Sequence, residues 1–91
     1  MKEAEIERYL IKQVRLHGGE LRKVRWIGHV GAPDRFVMLP LYSFWVELKS
    51  PTGVLSAAQG REIRIMRDYG QLVIVVNSKE DVDAIFEDLG A

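Results

Sequence analysis

Apolar and polar positions along this chain switch period repeatedly, and each switch marks an element. Ile6, Leu10 and Val14 recur at three- and four-residue spacing, which predicts an amphipathic helix over residues 3–16, closed by Gly18-Gly19. Residues 20–28 read as a strand around Leu21, Val24, Trp26 and Ile27. The segment from Gly28 to Asp34 holds two Gly and a Pro and reads as a loop. Phe36 to Leu39 and Phe44 to Lys49 read as two strands of a hairpin, with the turn from Pro40 to Ser43. After Pro51-Thr52-Gly53 a helix is expected from about Ser56, its N-cap, to Tyr69, with Gly70 as the C′ residue. The unbroken apolar run Leu72 to Val76 suits a strand covered on both faces. Ser78 then caps a last helix ending near Leu89. The order is α-β-β-β-α-β-α, which predicts an α/β fold with a mixed central sheet flanked by helices.

Length allows one domain, residues 1–91, and at this size a monomer buries modest surface, so a homodimer is the expected state. The chain has no Cys, which excludes disulfides, thiolate metal sites and Cys nucleophiles. It has no apolar run of membrane-spanning length and no signal-peptide pattern at its start. A soluble, intracellular, cytoplasmic protein without a membrane partner is therefore expected. The formal net charge is zero, but unevenly distributed. Residues 77–91 carry one basic and five acidic groups, and the other 76 residues carry 12 basic and 8 acidic. A basic body with an acidic terminal helix is compatible with phosphate binding on one face, as it is with ordinary solvated charge.

The chemistry concentrates in three places. Within Trp45-Val46-Glu47-Leu48-Lys49, strand alternation puts Trp45, Glu47 and Lys49 on one face and Phe44, Val46 and Leu48 on the other. By itself, a Glu-x-Lys pair is commonly a surface ion pair. Asp34 opens the strand that pairs with the Glu47 strand, and hairpin pairing brings it near Glu47. Two carboxylates that close favour a divalent cation between them, Mg²⁺ or Mn²⁺, with the Leu48 carbonyl and waters as further ligands. Taken alone, Asp34 reads as a turn or capping residue. Glu3 extends the 6, 10, 14 stripe backwards and is expected to face inward as a third acid. Glu5 points away and Glu7 lies at the edge, and all three could instead serve the positive end of the helix dipole. Gln59, early in the second helix, is placed to hold a water or a phosphate. His17 and His29 are isolated, and no Ser/His/Asp, His-rich or phosphate-loop pattern occurs.

Gly31-Ala32-Pro33-Asp34-Arg35, then Phe44-Trp45-Val46-Glu47-Leu48-Lys49-Ser50-Pro51, then Leu55-Ser56 with Gln59, resemble the motifs of the VRR-NUC domain of the PD-(D/E)xK nuclease superfamily. The resemblance covers nearly the whole chain and is closest to the stand-alone phage and bacterial type. It implies a restriction-endonuclease-like fold and Mg²⁺- or Mn²⁺-dependent phosphodiester hydrolysis. It further implies action on branched DNA in the manner of Holliday-junction resolvases, as a homodimer. Asp34 and Glu47 match the metal-binding acids, Lys49 the motif lysine, Gln59 the helix Gln, and Glu3 the first-helix acid, with Glu5 and Glu7 as alternatives. Arg22, Lys23, Arg25, Arg35, Arg61 and Arg64 are candidates for phosphate contacts. The competing class is a DNA-binding or interaction module that keeps the nuclease fold without catalysis.

Overall fold

The computed structural model describes residues 1–90. Seven elements follow in the expected order: α1 (Glu3–Leu16), β1 (Glu20–Lys23), β2 (Arg35–Met38), β3 (Ser43–Leu48), α2 (Ala57–Asp68), β4 (Val73–Val76) and α3 (Lys79–Asp88). The four strands form one sheet in the order β1-β2-β3-β4. β1–β2 and β2–β3 are antiparallel, and β3–β4 is parallel. A parallel pair cannot be closed by a tight turn, and α2 supplies the crossover.

Strand alternation sorts the sheet into two faces. Val37, Phe44, Val46, Leu48 and Val76 point to one face, where they pack with Ile6, Leu10 and Val14 of α1 and Val82, Ile85 and Phe86 of α3. The 6, 10, 14 stripe is completely buried there. His17 joins this layer: its ring stacks on Phe86 at 4.2 Å, and its Nδ1 is hydrogen-bonded to the Gln13 carbonyl. Tyr9 Oη donates to Asp83 at 2.6 Å, a second tie between α1 and α3. The opposite face carries Phe36, Trp45 and Glu47, with Ile63 of α2 buried among its neighbours.

Local signals set the helix ends. Ser56 Oγ accepts from the Gln59 N–H, and Gln59 Oε1 accepts in return from the Ser56 N–H at 2.9 Å, a reciprocal capping box. Ser78 caps α3 through the Asp81 N–H. Gly70 follows α2 at φ +85°, in the left-handed region a C′ residue needs.

Two expectations are corrected. β1 was expected over residues 20–28 but ends at Lys23, with Val24 N donating to the Asp34 carbonyl as the last ladder-like bond. Continuing the register places Pro33 beyond Asp34, and a proline has no N–H with which to extend a ladder. Trp26 instead folds inward and donates its indole N–H to the Pro33 carbonyl at 2.8 Å. Secondly, β4 is covered on both faces only in part: Val73 and Val76 are buried, Ile74 and Val75 half-buried. It forms an edge of the sheet, so only one of its sides is paired.

Candidate active site

The site lies where the β2–β3 hairpin opens towards the 24–34 loop. Arg35 pairs with Val46, so continuing the antiparallel register by one residue sets Asp34 opposite Glu47 on the same face. Both line a recess of about 300 Å³ whose walls also include Glu3, Gly31, Ala32, Arg35, Leu48, Lys49 and Gln59. Every residue expected of the catalytic group from the sequence therefore borders one recess, although they come from α1, the 24–34 loop, β3 and α2.

Glu47 is the buried charged residue of the fold, 6% exposed. Burial pushes its carboxyl above the ordinary Glu range, Lys49 opposes that push, and the charges of Asp34 and Glu3 add to it. Lys49 Nζ stands 3.9 Å from Glu47 Oε1 and is itself mostly buried. The cations of Lys49 and Arg35 thus face the carboxylates of Glu3, Asp34 and Glu47 in a polar recess, and added positive charge would offset the remaining excess.

Loop 24–34 reaches the recess by a close backbone approach. Gly31 has φ +90°, and a Cβ there would stand 2.6 Å from the Ala58 carbonyl carbon and 2.8 Å from the Gln59 nitrogen. Only glycine lets the loop lie on the first turn of α2 in this way. His29 Nδ1 donates to Glu62 Oε1 at 3.1 Å and ties the loop to α2 a turn further on. On the far side of β3, Asn77 Nδ2 donates to the carbonyls of Ser50 and Gly53, holding the turn that follows Lys49. Sequence reading did not foresee this role for Asn77.

Several placements differ from the expected ones. Glu3 borders the recess but is exposed at its mouth, not packed in, because it stands at the first turn of α1 beyond the last core contact, Ile6. Gln59 borders the recess while its Oε1 is engaged in the capping box, so its remaining side-chain donor is Nε2. Arg35 is not a free phosphate contact. Its side chain is 14% exposed and bridges Glu7 of α1 and Asp34, with Nη1 2.6 Å from Asp34 Oδ1. Burial alone would lower its pKa, but the Glu7 hydrogen bond and the Asp34 charge raise it. Glu7, placed near the edge of the helix by the sequence reading and kept as an alternative to Glu3, is joined to the site through Arg35. Of the other basic candidates, Arg22 pairs with Glu20 at 3.0 Å, Lys23 and Arg25 line a neighbouring recess, and Arg61 and Arg64 are exposed on α2. Arg67, not singled out beforehand, donates to the Val73 carbonyl and fixes the start of β4.

Among the described residues no three His, Asp or Glu side chains stand together as a ready set of ligands. Two carboxylates set opposite one another by the strand register, in a polar recess also lined by Leu48, suit a hard cation that keeps several of its waters, as Mg²⁺ does, rather than an all-protein cage. The Glu47 carboxyl is held above the ordinary range first by burial and only then by the charges of Asp34 and Glu3, and a cation beside it would favour its ionised form.

Comparison with known proteins bears on the family and the fold. No family model matches the chain. A protein of Acyrthosiphon pisum secondary endosymbiont phage 1, named "Putative nuclease p44", is 36% identical over 81 residues, covering 88% of this chain and 87% of the relative. A solved structure described as a VRR_NUC domain superposes with a TM-score of 0.85 at 31% identity, over 96% of this chain and 97% of the other.

Proposed function

This chain belongs to the VRR-NUC family, and we propose that it is a divalent-metal-dependent endonuclease that hydrolyses phosphodiester bonds in branched DNA. The observation that carries the reading is the opposition of Asp34 and Glu47 across β2–β3 with Lys49 beside them in one recess. Asp34, Glu47 and the Leu48 carbonyl would hold Mg²⁺ or Mn²⁺, with Glu3 contributing from the mouth of the recess. Such an ion, when bound, lowers the pKa of water and offsets charge on the scissile phosphate.

The chain's own groups do the rest. A water oxygen gives up a proton to solvent and bonds to phosphorus while the bond to one ester oxygen breaks, that leaving oxygen takes up a proton from solvent, and negative charge grows on the phosphate oxygens on the way. Lys49, held in place beside Glu47, supplies a fixed positive charge for those oxygens or orients the water. Gln59 Nε2 can donate to the water or to a phosphate oxygen, with its position fixed by the capping box. Arg35 holds Asp34 by its carboxylate and links it to α1 through Glu7. Lys23, Arg25, Arg61 and Arg64 serve as phosphate contacts that position the duplex without reading sequence.

Branched substrates suit a two-fold dimer, which presents two such recesses to two strands. Among the described residues no helix is long and apolar enough to cross a membrane. The test is cleavage of labelled four-way junction, flap, single-stranded and linear duplex DNA with Mg²⁺, Mn²⁺ or EDTA, alongside Lys49→Ala. Paired metal-dependent nicks in the junction, lost in the variant, support the reading. Binding without cutting in every metal favours the non-catalytic module.

A further inference from the structure

A second recess, of about 520 Å³, adjoins the acidic one and shares Gly31, Ala32 and Asp34 with it. Its other walls include Lys23, Arg25, Trp26 and His29. We propose that this recess is a subsite for one unpaired nucleotide of the DNA strand that runs through the acidic recess. The inference rests on the nuclease reading for the strand's position, and on the features below for the nucleotide.

The wall has the two chemistries a nucleotide requires. Lys23 and Arg25 offer cationic charge to a phosphate, and the acid on this wall is Asp34, which faces the neighbouring recess as well. Trp26 and His29 offer aromatic rings to a base, and every base has a face that stacks regardless of sequence. The indole is fixed before any ligand arrives. Its N–H is engaged by the Pro33 carbonyl at 2.8 Å, and its ring lies 5.2 Å from that of Trp45, which packs in turn on Phe36. A platform already locked by packing loses little side-chain freedom on binding. The loop that carries it is held on α2 by Gly31 and by the His29–Glu62 hydrogen bond. His29 is 61% exposed at its side chain, so its ring edge remains open to a ligand while Nδ1 is engaged.

The energetic consequence is a preference for branched over continuous duplex DNA. Filling the subsite from fully paired DNA requires unpairing and unstacking a base, whereas a flap or a splayed arm offers one already free. No reading of sequence is needed for this selectivity, and the chain would gain it from the single loop between β1 and β2.

The test is an abasic scan. Binding of a labelled splayed-arm DNA is measured by fluorescence anisotropy in EDTA, with an abasic residue at each of the first three unpaired nucleotides in turn. At one position the wild-type protein should lose affinity by about five- to a hundredfold, the range for a single stacked base. Trp26→Leu should bind all scan members equally, and Trp26→Phe, which keeps a ring, should keep the dependence. Arg25→Ala, at an exposed position, should weaken binding evenly across the scan and lower the salt dependence by about one counterion. A flat scan with tightly binding wild-type protein overturns the subsite, as does an undiminished dependence in folded Trp26→Leu. A dependent scan in a protein that cuts no DNA in any metal supports the subsite and removes the nuclease reading. Absence of DNA binding overturns the subsite even if cleavage is seen.

Discussion

Glu47 concentrates the tension of the site in one residue. Its folded pKa is raised, first by burial and then by Asp34 and Glu3, against the pull of Lys49. The folded state therefore holds this proton more tightly than the unfolded chain does, and stability falls as pH rises from the unfolded to the folded pKa. Glu47→Gln removes the charged form, so the variant should be the more stable at pH 7, by up to about 1 kcal/mol, and the gain should close as the pH falls below the ordinary carboxylate range. Urea titrations of both proteins at pH 7 and pH 4 read this directly, and a variant that loses stability at pH 7 would show that the Lys49 pair outweighs desolvation. Function should move oppositely. Asp34→Ala and Glu47→Ala should abolish cleavage while leaving a cooperative thermal transition, and a folded Glu47→Ala protein with normal turnover would remove Glu47 from the mechanism.

At the scale of elements, the 24–34 loop decides whether these residues meet. Gly31→Ala places a methyl group against the α2 backbone at a positive φ, which costs about 1–2 kcal/mol from conformation alone. The expected outcome is a lower urea midpoint together with reduced cleavage, since Asp34 lies three residues on; an unchanged midpoint would mean that the loop does not bear on α2 as described. The elements themselves were largely legible. Helix stripes, caps and the hairpin followed from period and from Ser56, Ser78 and Gly70, because those signals are local. Residues 24–28 were misread because Val24, Trp26 and Ile27 are strand-forming residue types, while the course of the chain is set by distant partners, the Pro33 carbonyl and Trp45. The same limit applied to Arg35. Nothing in its neighbourhood along the sequence predicts Glu7, which is brought to it by the packing of α1 on the sheet.

For the whole molecule, 91 residues leave little core to spare, and one edge of the sheet is β4. If the chain works as a dimer, its thermal midpoint should rise with protein concentration, because association stabilises the folded state by mass action. Light scattering over the same range should give a dimer mass, and a concentration-independent midpoint with a monomer mass, in a protein that still cuts junctions in pairs, would count against two-fold action.

The recess draws on residues from position 3 to position 59, so its assembly is also an event in time. No hairpin or helix, formed early and alone, contains enough of it to bind a metal or cut a strand. Closing such long loops is the slow part of folding, since their entropy is lost before their contacts form. Nuclease activity should therefore return in refolding together with the last-formed long-range contacts and lag behind helix content, so that an incompletely folded chain carries no cutting centre into the presence of DNA.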